Sequence, residues 1–239
     1  MPIRGLLFDK DGTLLDYHAS WMPLNRAVAL HAAGGDAELA LRLLVEGGYD
    51  ASTGRIRANT PLAAGTPLEI ATIFARVLGR SPTAAALAVE IDRMFHEGGA
   101  GCSQLVPGAA EAIATLKRRT SHLGIATSDS SAGLAASLAP HGILHQFDFT
   151  VAYDSGHGTK PGPGMALAFC RACGLGPAEI AVIGDNRHDL DMGRAAGAAL
   201  VIGVLTGTSL AEDLEGHADR IYPGIAEMAA DDELLARLG

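Results

Sequence analysis

The sequence predicts a doubly wound α/β fold with an inserted helical domain, and three observations predict it. Short apolar runs alternate with helical segments over most of the chain. The first such run, Gly5-Leu6-Leu7-Phe8, stops at the polar string Asp9-Lys10-Asp11-Gly12-Thr13. Between Tyr17 and Glu97 the periodicity is helical throughout, with no convincing strand. Strands that alternate with helices pair in parallel through right-handed crossovers. Ligands of such sheets collect at the C-terminal strand ends.

The first run reads as a buried parallel strand, because it is apolar without alternation and ends on a charge and a glycine. Side chains at i and i+2 of an extended chain point to the same side, so Asp9 and Asp11 present two carboxylates together. Gly12 lets the chain turn away. Two carboxylates that close repel, which calls for a nearby cation or a shared proton.

The inserted segment follows. Ser20 to Ala33 and Asp36 to Glu46 read as helices, and Gly47 to Ala64 as a polar loop carrying Arg55 and Arg57. Thr66-Pro67-Leu68-Glu69 combines an N-cap, Pro at the first helical position and Glu at the third, so a helix starts there. Ser81-Pro82 repeats the start signal before Leu87, Ile91 and Phe95. Gly98-Gly99-Ala100-Gly101 reads as a linker, which assigns residues 16–99 to the insertion and residues 1–15 and 100–239 to the α/β core.

In the core, Pro107 to Arg119 reads as a helix, Leu123 to Thr127 as a strand and Ala132 to Ala139 as a helix. Phe147 to Ala152 is a strand, Gly162 to Cys173 a helix and Ile180 to Ile183 a strand that ends at Gly184-Asp185. Asp189 to Ala196 (helix), Ala199 to Leu205 (strand), a short strand near Arg220 and a helix from Ile225 complete the chain.

Composition narrows the function classes. The 239 residues are 48% hydrophobic and 19% charged, enough to bury a core. A formal net charge of −9 argues against nucleic acid or an anionic membrane as partner, since both select basic surfaces. No run approaches the ~18 apolar residues of a membrane span, and the N-terminal apolar stretch is too short for a signal peptide. Three cysteines, odd in number, fit a reducing cytoplasmic compartment. Cys170 and Cys173 have redox spacing but share a helical face with no second pair, so packing is the expected role. Lysine is scarce: only Lys10, Lys117 and Lys160 stand among eighteen basic residues. That scarcity draws attention to positions needing a compact point charge. Nothing in the sequence indicates an oligomeric state.

Further polar clusters follow later strands. The Thr127 hydroxyl and the Ser128 backbone N–H can hold phosphate oxygens. Lys160, in Thr159-Lys160-Pro161-Gly162-Pro163, supplies a cation. Asp185 and Asp189, in Gly184-Asp185-Asn186-Arg187-His188-Asp189, add two carboxylates. Alone, each has a bland reading as a turn, a strand end or a surface charge. The Asp-x-Asp-Gly stretch lacks the closing Glu of a calcium loop.

In order, these stretches resemble the haloacid dehalogenase superfamily, in its phosphoglycolate-phosphatase-like branch. Asp9 to Thr13 matches the first motif, Thr127 the second, Lys160 to Pro163 the third and Gly184 to Asp189 the fourth. The resemblance implies a Rossmann-like core with a helical cap between its first strand and the rest. It also implies an Mg²⁺-dependent phosphatase acting on a small phosphorylated metabolite, phosphoglycolate first. Asp9 would be the nucleophile and Asp11 the general acid and base. Thr127, Ser128 and Lys160 would hold the phosphoryl group. Asp9, the Asp11 carbonyl and Asp185 would hold the metal, with Asp189 orienting its waters. At an effective dielectric near 20, each like-charge contact at about 4 Å costs about 4 kcal/mol. Lys160 alone does not offset the carboxylates and a phosphate, so the cation is integral to this reading.

Residues separate the relatives. Asp11 argues against the dehalogenases, which release no alkoxide that needs a proton. The absence of lysine from Leu14 to Ala100 argues against Schiff-base chemistry in the cap. Ion pumps carry Thr where Asp11 stands. A sugar-phosphate mutase uses the same carboxylate pair and stays open, as does a non-catalytic phospho-acceptor protein. For substrate selection, Arg55, Arg57, His18 and Trp21 are the cap candidates, the arginines as bidentate partners for a carboxylate.

Overall fold

A computed structural model describes residues 2–79 and 83–239. The core is a six-stranded, wholly parallel sheet in the order β5-β4-β1-β6-β7-β8. Its strands are β1 (Gly5–Phe8), β4 (His122–Ala126), β5 (Phe149–Val151), β6 (Ile180–Gly184), β7 (Leu200–Val204) and β8 (Arg220–Tyr222). Between β1 and β4 the chain forms α1 (Tyr17–Ala32), α2 (Ala37–Gly47), the two-residue strands β2 (Tyr49–Asp50) and β3 (Arg55–Ile56), α3 (Pro61–Ala64), α4 (Pro67–Leu78), α5 (Ala84–Cys102) and α6 (Ala109–Lys117). Later crossovers are α7 (Ser131–Leu138), α8 (Gly164–Cys173) and α9 (Arg187–Ala196).

Period-2 alternation sends one strand to two cores. Leu6 and Phe8 of β1 join Leu123, Ile125, Ile183 and Ile202 against α6, α7 and the C-terminal turns. Leu7 points the other way, to Val182, Met165, Phe169 and Met192, under α8 and α9. Helices therefore cover both faces, which is why the strands lack exposed polar alternation. Cys170 sits in that second core, its thiol pushed up by burial, and all three cysteines are unpaired.

The insertion builds a third core of its own, from Tyr17, Trp21, Leu43, Ile70, Phe74, Ile91 and Phe95 among others. Local signals set its helices. The Asp16 carboxylate accepts from Ala19 N at 2.9 Å and caps α1, three residues before the start read from periodicity. The predicted capping box opens α4: Thr66 N donates to Glu69 Oε2 at 2.6 Å, and Glu69 N to Thr66 Oγ1 at 3.4 Å. The start signal at Ser81-Pro82 lies outside the described residues; α5 is capped by Thr83, whose side chain accepts from Ala86 N.

Two expectations change. The loop from Gly47 to Ala64 contains the β2–β3 hairpin and α3. The predicted linker Gly98 to Gly101 is instead the last part of α5. Close packing is the reason: a Cβ on Gly98 would stand 2.2 Å from Leu24 Cδ2, so glycine lets α5 lie against α1. Tertiary contact there outweighs glycine's cost of about 1 kcal/mol in a helix.

Candidate active site

Each polar string read from the sequence emerges at the same edge of the sheet. β1 delivers Asp9, whose backbone N–H bonds to the Ile183 carbonyl at 2.8 Å and extends the ladder by one residue. β4 delivers Thr127, bonded likewise to Val151. β6 delivers Asp185, α9 supplies Asp189 from its first turn, and Lys160 reaches in from the loop between β5 and α8. Asp9, Asp11, Thr127, Ser128, Lys160, Asp185 and Asp189 all line one cavity between this edge and the helical insertion.

Gly12 makes the turn out of β1 with φ of +88°. A Cβ there would lie 2.6 Å from Asp185 Cγ, so glycine is required by conformation and by the approach of that carboxylate.

Lys160 organises one half of the site. Its Nζ donates to Asp9 Oδ1 at 2.5 Å and to Asp189 Oδ1 at 2.6 Å. Asp189 also accepts from Asn186 N through Oδ2 at 3.1 Å, so both of its oxygens are held. Burial and the neighbouring Asp189 push the Asp9 carboxyl up to about 6, against the opposing pull of Lys160. Burial disfavours the Lys160 ammonium, but the two carboxylates outweigh it and keep the charge in place.

Asp185 has no such partner. It is almost completely buried, and its donors are Thr208 N at 2.9 Å and Thr208 Oγ1 at 3.5 Å. Burial, then Asp9 and Asp189, raise its carboxyl well above the usual range. Oxygens of Asp9, Asp185 and Asp189 come within 4.8 Å of one another. Lys160 pairs with two of these three buried carboxylates and leaves Asp185 without a cation among the described residues, and their hard oxygen donors suit a divalent cation.

Asp11 belongs to a second network. It accepts from Trp21 Nε1 at 2.5 Å and lies 3.0 Å from Lys10 Nζ. Lys10 is fully buried and also donates to Asp129 Oδ2 at 2.9 Å and Ser137 Oγ at 3.0 Å. Its ammonium lies 5.0 Å from the Trp21 ring centroid, within cation–π range. Burial raises the Asp11 carboxyl to about 6, with Lys10 pulling it down and Asp129 and Asp9 pushing it up. Thr127 Oγ1 accepts from Asp129 N at 3.0 Å, which joins this network to the end of β4.

The cap candidates divide. Trp21 lines the cavity. His18 and Arg55 lie instead on a separate groove with Arg26, Pro107 and Thr206, and Arg57 is exposed, donating to the Val45 carbonyl at 3.5 Å. The β2–β3 hairpin carries both arginines away from the cavity, so neither is placed to meet a substrate there. Burial and Arg55 lower the His18 imidazole. Side chains not read from sequence as site residues complete the lining: Tyr17, Asn25, Leu62, Pro67, Ile70 and Phe95 from the insertion, with Asn186 and His188 from the core. Asn186 and His188 stand within the Gly184 to Asp189 string, and Pro67 and Phe95 were read only as helix positions.

Known proteins are similar to this chain in sequence and in fold. The family model for haloacid dehalogenase-like hydrolases matches residues 3–197. Over 246 aligned residues the chain is 26% identical to a phosphoglycolate phosphatase from Shigella dysenteriae, covering 95% of this chain and 91% of that one. It is also 26% identical to an N-acetylmuramic acid 6-phosphate phosphatase from Pseudomonas putida, over 82% of this chain and 81% of that one. A solved hydrolase of the haloacid dehalogenase-like family from Streptococcus pneumoniae superposes with a TM-score of 0.71 at 22% identity, covering 95% and 97% of the two chains.

Proposed function

Because the chain belongs to the haloacid dehalogenase-like hydrolases, we propose that it is an Mg²⁺-dependent phosphatase that hydrolyses a small phosphate monoester through an aspartyl-phosphate at Asp9. The observation that carries this reading is the Lys160 bridge. By holding Oδ1 of Asp9 it leaves Oδ2 as the attacking atom, and it brings a positive charge to where the phosphoryl oxygens would lie.

Asp11 is the group suited to move protons. A carboxyl raised to about 6 can hold a proton for the departing alkoxide and accept one from the attacking water. Its position beside Trp21 and Lys10 fixes the carboxyl plane. Thr127 and Ser128 would bind phosphoryl oxygens opposite Lys160. Asp9, Asp185 and the Asp11 carbonyl would hold Mg²⁺, with Asp189 positioned by Lys160 and Asn186 behind them. The ion would neutralise the carboxylates and polarise the phosphoryl group.

The helical insertion serves as the cap, excluding water from the first step and contacting the leaving group. No helix among the described residues is long and apolar enough to cross a membrane, and three unpaired cysteines suit a reducing, cytoplasmic setting. Phosphoglycolate is the substrate that the resemblance puts first. The relatives' own names already span two different esters at equal identity. A mutase would need partners for several sugar hydroxyls, which the largely apolar cap wall does not offer.

The test is multiple-turnover release of inorganic phosphate from a panel of small esters with Mg²⁺. Turnover that is abolished by EDTA supports the reading. Undiminished release in excess EDTA would refute the metal assignment, and stoichiometric phosphorylation without turnover would favour a phospho-acceptor protein.

A further inference from the structure

The cavity has two walls of opposite character. The core wall carries Asp9, Asp11, Asp129, Asp185, Asp189 and Lys160. The cap wall, where a leaving group would sit, is Trp21, Leu62, Ala63, Ala64, Pro67, Ile70 and Phe95, with Tyr17 and Asn25 its polar members. Trp21 and Phe95 meet edge to face at 4.9 Å between centroids, which fixes an aromatic corner.

The polar groups on the cap wall are largely committed. Tyr17 Oη donates to the Leu62 carbonyl, and the Trp21 N–H is taken by Asp11. Asn25 Nδ2 donates to Tyr17 Oη at 3.4 Å. Among the described lining residues the basic side chains are Lys160 and His188. Both ammonium contacts of Lys160 go to carboxylates. His188 stands at the mouth, where it also borders an outer groove with Asn59, Pro61 and Glu69. The arginines Arg26 and Arg55 open onto a different groove.

Resting on the phosphatase reading, we propose that the leaving group is an uncharged alcohol with an apolar body, and not a carboxylate-bearing alcohol such as glycolate. A carboxylate on this wall would be stripped of water without a cation, while five core carboxylates raise the local negative potential. An apolar or aromatic body loses nothing on desolvation and packs against Trp21, Ile70 and Phe95.

The experiment compares kcat/KM for benzyl phosphate, phosphoglycolate and acetyl phosphate with the full chain and Mg²⁺. Acetyl phosphate reports phosphoryl transfer independently of cap recognition. Benzyl phosphate should exceed phosphoglycolate by about tenfold or more. Phosphoglycolate equal to or better than benzyl phosphate, with acetyl phosphate turned over, overturns this inference and leaves the phosphatase reading intact. No turnover of any of the three overturns both. Ala64→Arg adds a cation to a half-buried position of the cap wall and should shift the ratio toward phosphoglycolate by about tenfold. An unchanged ratio, in a variant that still hydrolyses acetyl phosphate, would contradict charge selection by this wall.

Discussion

The indole N–H of Trp21 donates to Oδ1 of Asp11 at 2.5 Å, so the first helix of the insertion reaches directly to the proposed proton-transfer carboxyl. Lys10 lies on the other side of that carboxylate at 3.0 Å and beneath the indole ring. Cap and core thus meet at the residue whose orientation matters most for the leaving group. Trp21→Phe keeps an aromatic ring and removes the donor. It should lower kcat about tenfold on alkyl phosphates, the loss of one hydrogen bond to a charged group. The effect should be small on acetyl phosphate, whose leaving group departs without a proton. Equal losses on both substrates would mean that the contact is merely structural.

Lys10→Met tests the buried network separately from catalysis. Its removal leaves Asp129 buried without its ammonium partner, and Asp11 with only Trp21. Breaking a buried ion pair from one side costs on the order of 3 to 5 kcal/mol. Urea unfolding should show that loss, and Lys10→Met/Asp129→Asn should recover part of it. A wild-type midpoint for the single variant would sink the assignment.

Protons and Mg²⁺ compete for the same carboxylates. In the metal-free protein Asp9 and Asp11 are each raised to about 6 and Asp185 is raised well above the usual range. A carboxyl with a folded pKa above its unfolded value of roughly 4 stabilises the fold fully below that unfolded value. That stability is lost as pH rises through about 6. The metal-free protein should therefore lose Tm between pH 5 and 7.5, and Mg²⁺ should restore it mainly at the higher pH. Melts in EDTA and in Mg²⁺ at both values measure this. A larger Mg²⁺ gain at pH 5 would contradict it.

Gly12→Ala probes the turn that admits Asp185. The variant puts a Cβ 2.6 Å from Asp185 Cγ at a φ of +88°. Steady-state phosphate release should fall at least about tenfold, since a misplacement of about 1 Å can cost about 100-fold. Near-normal turnover would show that Asp185 tolerates displacement, against a role in holding the metal.

The sheet and its strand-end side chains were legible because their signals are local. Gly5 to Phe8 is apolar up to Asp9, and Thr127, Lys160, Asp185 and Asp189 each follow a strand. All five line the cavity once parallel pairing gathers those ends. The cap was legible as helices, not as a surface. Periodicity marks Leu87, Ile91 and Phe95 as inward-facing but does not say whether inward means the cap core or the cavity. Arg55 and Arg57 drew attention by chemistry, and hairpin geometry that no local pattern encodes turns them elsewhere. Gly98 to Gly101 looked like a linker because composition does not reveal that Leu24 occupies the space a Cβ would need.

The central claim is that Asp9 carries the phosphoryl group. Its most direct measurement is steady-state phosphate release by Asp9→Asn, with a folded thermal melt as control and peptide mass analysis of protein quenched during turnover. The account predicts no turnover from a folded variant, and a phosphorylated Asp9 peptide from the quenched wild type alone. Appreciable turnover by Asp9→Asn, or a phosphoryl group found on another residue, would contradict it.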